Sequence, residues 1–438
     1  MDDYTLLKQL LDNRDADEFL RNASELDPSF WEAGDKLKIL TDAITLDNRG
    51  LKDFVYRILL SLDDESKSYA SGFLVKHLYD KNLELRNLVA DLLMKFGTNA
   101  NEYLLPLLED IDVDVQKFAS DILGFSGTDK EIPNLVNLLN AKDMNVFTSA
   151  IESIGRIYER HSEQIGLGDL MIDKLTNIYN HQNYDTQPVI IEAIAKIGGD
   201  RAVDFLIYII KTEEDLFLKT NAIDGLSICG NSEEICVLLK EQLHTFMKEL
   251  QPVVLKTIIA ISFRVGCSID FEESFRDIAL VALEDSDPDI RTAGLLALGN
   301  TYTYQDLSLI AGEYHKSGDE IKLYILNNFV ANNINLLSDF IVEFARLTSS
   351  ADHCYGILEM ISNIRNFIDD YDTETQSEVI KVFISNLGLQ LEMHEYDVFE
   401  NLRMINEFVF DNILEKMASE AEGSIAEQIS DLQNYLRN

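Results

Sequence analysis

Apolar residues recur at helical spacing along nearly the whole chain. They follow one another three and four residues apart, so that each group lies on one face of a helix. Within 103–123 these positions are Leu104, Leu107, Leu108, Val115, Phe118, Ala119, Ile122 and Leu123. Long alternation of apolar and polar residues, which would indicate strands, is absent. The pattern therefore predicts an all-α fold.

Glycines divide the predicted helices at intervals of 27 to 43 residues. A glycine at a helix end can adopt the left-handed conformation that ends the helix. An interval of this size is typical of a helical repeat array. We therefore predict helix pairs, each closed by a glycine after its second helix. These glycines are Gly97, Gly124, Gly155, Gly198, Gly230, Gly266 and Gly299.

Four of the predicted second helices share a tighter template. A β-branched residue is followed four positions later by a small residue, and five positions after that by glycine. The small residue should let a neighbouring helix approach closely, because the two positions share one helix face. In three repeats an aspartate that can cap the helix precedes the β-branched residue by three positions, namely Asp112, Asp143 and Asp287. The four sets are Val115–Ala119–Gly124, Val146–Ala150–Gly155, Val189–Ala193–Gly198 and Ile290–Gly294–Gly299.

The segments 283–299 and 133–155 resemble the HEAT-repeat consensus, especially the HEAT-like form of bacterial repeat proteins. The clear resemblance covers roughly 80–300. It implies a right-handed α-solenoid of antiparallel helix pairs, an α-α superhelix whose second helices line a concave face. We expect a helical cap over 1–48, the repeat array over 49–389 and an acidic helical cap over 390–438. A separate C-terminal helical bundle is the alternative for the last part.

One template position departs from the family pattern. Such families usually carry Arg directly after the β-branched residue, and here only Arg291 follows that pattern. The other three repeats have Gln116, Phe147 and Ile190. These four residues are our candidates for contacts with a partner in a specialised groove. Phe147 could be an exposed aromatic anchor, which is typical of interfaces, or a core residue.

The charge of the chain restricts its partners. The 438 residues include 37 Lys and Arg against 77 Asp and Glu, for a net charge of −40. So negative a protein is repelled by nucleic-acid phosphates and by anionic membrane surfaces. We therefore expect no nucleic acid and no membrane as partner, and a protein partner with a basic patch. The oligomeric state stays open.

The sequence also bears on the compartment. None of the four cysteines, Cys229, Cys236, Cys267 and Cys354, forms a CxxC pair, which favours a reducing environment. The N-terminus lacks the basic and apolar regions of a secretory signal, and no apolar run is long enough to span a membrane. We expect a cytoplasmic protein.

The sequence contains no catalytic motif. Glycine-rich phosphate loops and the HExxH motif are absent, and the seven histidines are scattered. We expect no enzyme, no cofactor and no metal site. The favoured function is a non-enzymatic scaffold or adaptor, with or without a regulatory role, that binds a protein along the concave face. The alternative is a bilin-lyase-like HEAT protein that acts on a chromophore and a carrier protein. A HEAT-like DNA-repair glycosylase is disfavoured by the isoelectric point of about 4.4.

Overall fold

The fold is built from helices alone over the part of the chain that the structure describes. The computed structural model describes residues 2–32, 34–161, 167–181, 185–299, 301–348, 350–387, 396–421 and 423–437. These residues form α-helices and short 3-10 helices, and none of them is in a strand. The predicted all-α class is confirmed.

The chain divides into two compact units between Ser232 and Glu233. The first unit contains fourteen α-helices within its described residues. They are α1 (Asp3–Asp12), α2 (Ala16–Ser24), α3 (Gly34–Ala43), α4 (Arg49–Ser61), α5 (Asp64–Leu74), α6 (Leu83–Phe96), α7 (Asn101–Leu104), α8 (Val113–Ser126), α9 (Ile132–Leu138), α10 (Met144–His161), α11 (Gly168–Tyr179), α12 (Gln187–Ile197), α13 (Asp200–Thr212) and α14 (Leu216–Cys229).

The second unit contains twelve α-helices within its described residues. They are α15 (Glu233–Gln242), α16 (Gln251–Val265), α17 (Arg276–Leu283), α18 (Pro288–Leu298), α19 (Leu307–Lys316), α20 (Asp319–Asn332), α21 (Ile334–Leu347), α22 (Ser350–Arg365), α23 (Thr373–Leu387), α24 (Tyr396–Arg403), α25 (Glu407–Glu420) and α26 (Ser424–Arg437).

The helices of each unit alternate between two layers. In unit 1 the even-numbered helices from α2 to α14 pack side by side, each on the next. The odd-numbered helices form the other layer, where α1 packs on α3 and α3 on α5. In unit 2 the even-numbered layer includes the neighbours α16 and α18, and then α20, α22 and α24. The odd-numbered layer runs from α19 through α21 and α23 to α25. This stacking of helix pairs is that of an α-solenoid. We call the even-numbered helices second helices and the odd-numbered ones first helices.

The three aspartates predicted as helix caps do cap second helices. The Oδ1 atom of Asp112 accepts from the backbone N–H of Asp114 at 3.0 Å. Asp143 and Asp287 make the equivalent bonds, each at 2.9 Å, to the second residue of α10 and of α18. Each bond satisfies an N–H group that has no partner within the helix.

The punctuating glycines fall into three physical classes. Gly97, Gly198, Gly266 and Gly299 have positive φ angles and end their helices, as predicted. Gly230 ends α14 as predicted, but with a φ of −57° and not in the left-handed conformation. Gly124 and Gly155 do not end helices, because they lie inside α8 and α10. A Cβ atom on Gly155 would lie 3.0 Å from the Cα atom of Ala193 in α12, and one on Gly124 would lie 2.6 Å from the Oγ atom of Ser153 in α10. For these two glycines the prediction of a helix end is wrong. Glycine is needed at both positions because neighbouring second helices pack closely there.

The small residue of the template has the predicted role in α18. A Cβ atom on Gly294 would lie 2.6 Å from the carbonyl oxygen of Ala279 and 2.8 Å from the backbone nitrogen of Leu283. Both atoms belong to α17, so only glycine lets the two helices of this pair come so close.

The chain after residue 387 differs from its predicted helix pattern. Spacing predicts one helix over 395–418, but the chain breaks between α24 and α25 at residues 404–406. Asn406 has extended backbone there, and its side chain accepts from the N–H of Val409. This capping bond starts a new helix. Residues 388–395, 422 and 438 of this region lie outside the described residues, and the terminal caps stay a prediction.

We predict that Gly294→Ala lowers the free energy of unfolding by about 1–3 kcal/mol, because backbone atoms of α17 must move. Gly312→Ala is the matched control. Gly312 also lies inside a helix, α19, but a Cβ atom there meets nothing within 4 Å. That variant should be more stable by about 0.5–1 kcal/mol. Urea unfolding measures both, and equal effects of the two changes would contradict the close approach.

Candidate protein-binding surfaces

Two of the four predicted contact residues are in the core. Phe147 is 4% exposed, so the core position is the correct one of its two alternatives. Ile190 is fully buried, so the exposed position expected for it is wrong. In α12 the half-buried residue is Val189, so the helix faces the core one residue later than the template predicts. In this helix the polar contact with backbone is made by Gln187, three residues before Ile190. Its Nε2 atom donates to the carbonyl oxygen of Tyr179 at 3.4 Å.

The other two predicted residues bind backbone near the preceding first helix. Gln116 donates from Nε2 to the carbonyl oxygen of Leu108 at 3.2 Å. Arg291 donates from Nη1 to the carbonyl oxygens of Asp285 and Ser286, at 3.1 and 2.9 Å. Gln251 makes a similar bond to Phe246. This recurrent contact satisfies carbonyl groups that a helix end leaves without a partner. Partner contacts of Gln116 and Arg291 stay a prediction.

Arg291 also forms an ion pair shielded from solvent. Its Nε atom lies 2.7 Å from the Oε2 atom of Glu313 in α19, and the side chains are 16% and 4% exposed. Ser317 donates to the other carboxylate oxygen at 3.1 Å. The pair fixes the turn before α18 to the next first helix.

The second helices of unit 1 carry nearly balanced charges, and eight of these charges form pairs within single helices. Helices α4 to α14 of this layer carry ten Lys and Arg against nine Asp and Glu, far from the imbalance of the whole chain. Four pairs follow the i, i+4 spacing within single helices, which stabilises each helix modestly. They are Asp91–Lys95, Lys117–Asp121, Glu152–Arg156 and Glu192–Lys196, at 3.0, 2.6, 3.2 and 2.6 Å.

An apolar groove lies among the second helices of unit 2. It has a volume of about 590 Å³. The groove runs from α16 and α18 to α20 and the end of α22, and Phe263 at one side is 71% exposed. Glu320 is the only charged residue that lines it. The apolar and aromatic side chains of its lining are Phe263, Leu296, Ile321, Leu323, Tyr324 and Phe367.

Two residues of α20 at or beside this groove make polar contacts with other parts of unit 2. The hydroxyl of Tyr371 donates to the Oδ1 atom of Asn327 at 2.8 Å. Lys322, on α20, pairs with Glu359 of α22 at 2.7 Å. Burial raises the pKa of the Tyr324 hydroxyl, so this side chain is neutral in the groove at physiological pH.

A second unusual surface is the row of turns between first and second helices in unit 1. From α3 onwards the six turns are 44–48, 80–82, 110–112, 139–143, 180–181 with 185–186, and 213–215, and their described residues include nine Asp and Glu against two Lys. Exposed apolar residues lie beside the acidic ones in three successive turns. We define the turn edge as the turns 80–82, 110–112 and 139–143 with the apolar residues Leu83, Ile111, Val113 and Met144. The sequence did hold a signal for it, because an apolar residue directly follows each of three cap residues.

Contacts between neighbouring turns order the turn edge. The hydroxyl of Tyr79 donates to the Oδ2 atom of Asp110 at 2.5 Å, and Arg86 lies 3.2 Å from Asp114. The hydrogen bond from Tyr79 lowers the pKa of Asp110, and the same bond raises the pKa of Tyr79 to about 12. Asp110 is therefore ionised over the whole physiological range.

The described residues contain neither a cluster of metal-ligating side chains nor a membrane-spanning helix. No group of three or more His, Cys, Asp or Glu side chains in that part of the chain is placed to hold a metal ion. No helix within the same residues is long and apolar enough to cross a membrane.

Comparisons with known proteins show only distant similarity. No family model matches the chain, and no curated protein matches it. An engineered protein of solved structure is 15% identical, with 92% of this chain and 99% of that chain covered and a TM-score of 0.37. Importin beta is 11% identical over 92% of this chain and 72% of its own, with a TM-score of 0.48. The complex of CpcE and CpcF of phycocyanin lyase from Nostoc sp. PCC7120 is 16% identical over 66% and 96%, with a TM-score of 0.30. With TM-scores this low, we draw no functional conclusion from these proteins.

We predict that Arg291→Ala lowers the free energy of unfolding by about 3 kcal/mol, because it leaves the buried Glu313 carboxylate without its cation. Adding Glu313→Gln should restore part of the loss. The control is Arg346→Ala, which removes a 64% exposed arginine from its pair with Glu343 and should change stability by less than about 1 kcal/mol. Urea unfolding that shows equal losses for Arg291→Ala and Arg346→Ala would contradict a structural role for Arg291.

We predict that Tyr79→Phe raises the pKa of Asp110 toward its ordinary value, because the hydroxyl donor is lost. A carboxyl group with a lowered folded pKa stabilises the fold above its unfolded pKa, and the effect is lost as pH falls through the folded value. The variant should therefore lose less stability than the parent chain between neutral and strongly acidic pH. Carboxyl-carbon NMR titration measures the pKa directly, with Tyr69→Phe as control. An unchanged Asp110 pKa would contradict the bond.

Proposed function

We propose that the chain is a non-enzymatic scaffold or adaptor that binds a protein partner through the groove in unit 2. The observation that carries this proposal is the groove itself, with exposed Phe263 beside Leu296, Ile321, Tyr324 and Phe367. Contiguous exposed apolar surface is rare in proteins that act alone, and it is typical of a binding site.

The chemistry of the groove fits an apolar anchor of a protein. Aromatic side chains in a pocket contribute a large share of the binding energy at interfaces. The groove is open along the second helices and is lined by residues from three of them and from the turn after α22, so an extended or helical segment has room in it. Asn327, held by Tyr371, offers an amide at the same surface.

The charge of the chain selects the partner. Glu320 at the groove is acidic and the whole chain has a net charge of −40, so a partner with a basic patch is attracted from a distance. Apolar contacts at the groove then add affinity that salt does not remove. We therefore propose a partner that combines a basic patch with an exposed apolar or aromatic residue.

The experiment is a crosslinking pull-down with the parent chain, Phe263→Ser and Phe408→Ser. Phe408 is 76% exposed in α25 and lies outside the groove, so it is a matched control in the same unit. We expect proteins that the parent chain and Phe408→Ser capture and that Phe263→Ser captures at least about tenfold less, the loss of one buried aromatic contact.

Two results of this experiment would contradict the proposal. One is equal capture of every protein by Phe263→Ser and Phe408→Ser. The other is recovery of small molecules with no protein. A circular-dichroism melt of each variant shows whether it is folded, and both should melt like the parent chain because both side chains are exposed.

A further inference from the structure

We propose that the turn edge of unit 1 binds an extended basic segment of a partner protein in which every third residue is apolar. The inference rests on the proposed role of the chain in binding protein. It concerns a different surface in a different unit, so each proposal can fail without the other.

Helix capping explains the acidic residues of the turn edge but not its apolar ones. Asp112 and Asp143 accept backbone N–H groups at the starts of α8 and α10, and Asn82 does the same for α6. The first helical residue after a cap faces solvent and needs no apolar side chain. Nevertheless Leu83, Val113 and Met144 fill that position.

Ile111 is the most exposed of these side chains. It is 99% exposed, between two aspartates whose side chains both bind backbone N–H groups. A single exposed apolar residue is common on protein surfaces and does not by itself indicate a binding site. Four of them in three successive turns, each beside a carboxylate, form a surface in which apolar and acidic groups alternate.

The spacing of the turns sets the spacing in the partner. Packed helices lie about 8–10 Å apart, so the apolar residues of neighbouring turns recur at about that distance. A polyproline II segment rises about 3.1 Å per residue and completes a turn in three residues. Every third side chain of such a segment thus lies on one face at about 9 Å intervals, in register with Leu83, Val113 and Met144.

Charge complementarity selects basic residues between the apolar ones. The described residues of the six turns include nine acidic residues against two lysines, whereas the charges of the second helices in the same unit are nearly balanced. Asp110 is one of these carboxylates, and the hydroxyl of Tyr79 donates to its Oδ2 atom. A Lys or Arg at one of the two positions between successive apolar residues of the partner would lie beside one of these carboxylates.

The test uses synthetic peptides of repeated Leu-Lys-Pro triplets, which favour the polyproline II conformation, and of repeated Ser-Lys-Pro triplets with the same charge. Fluorescence anisotropy with the full chain measures each affinity. We expect the Leu-Lys-Pro peptide to bind at least about tenfold more tightly, and both to weaken with salt. The double variant Ile111→Ser, Val113→Ser should remove that preference, and Met144→Ser should reduce it.

The control is Phe125→Ser, which changes an exposed aromatic residue of α8 away from the turns and should bind like the parent chain. Equal affinities for the two peptides would overturn the proposal, because the attraction would then be charge alone. A preference for Leu-Lys-Pro that survives in the double variant, or that Phe125→Ser removes, would overturn it as well. Loss of the preference in the turn variants alone, whether or not groove variants of unit 2 bind their partner, supports it.

Discussion

The structure depends on close approach between helices at a few small residues. A solenoid buries its apolar side chains only between neighbouring repeats, so each helix must come near the next along its whole length. Gly124 against Ser153 and Gly155 against Ala193 allow this between second helices, and Gly294 allows it within a pair. A methyl group at these glycines would meet backbone or a small side chain. The template of small residues is therefore a packing constraint, and the binding surfaces lie where helices do not meet so closely.

Polar side chains at the starts of second helices have a structural role, because they bind backbone carbonyl groups. Gln116, Gln187, Gln251 and Arg291 all bind carbonyl groups at or near the end of the preceding first helix. Eight of the charges on the second helices in unit 1 pair with one another within single helices. These contacts do not account for the apolar side chains of the groove in unit 2 or for the exposed apolar side chains of the turn edge in unit 1.

Much of the fold could be predicted from the sequence, because helical spacing, aspartate caps and recurrent glycines are local signals. Asp112, Asp143 and Asp287 cap as expected. The positions of Phe147 and Ile190 could not be predicted, since a rotation of one residue decides whether a side chain faces solvent or core. Gly155 was wrongly predicted to end a helix, because glycine occurs both at helix ends and where two helices pack closely. The groove was missed because Phe263, Leu296 and Phe367 come from separate helices, whereas the turn edge had a local signal beside each cap.

We propose that this chain binds a protein with a basic patch through the groove and a basic segment through the turn edge, and neither of them through the second-helix face of unit 1. Zero-length carbodiimide crosslinking tests it most directly, since it joins a carboxylate to a partner lysine only where the two are in contact. After capture, mass spectrometry should find links to a groove partner at Glu320, and links to a turn-edge partner at Asp110 or Asp112. Links confined to Glu152 and Glu192 on the second-helix face of unit 1 would contradict the account.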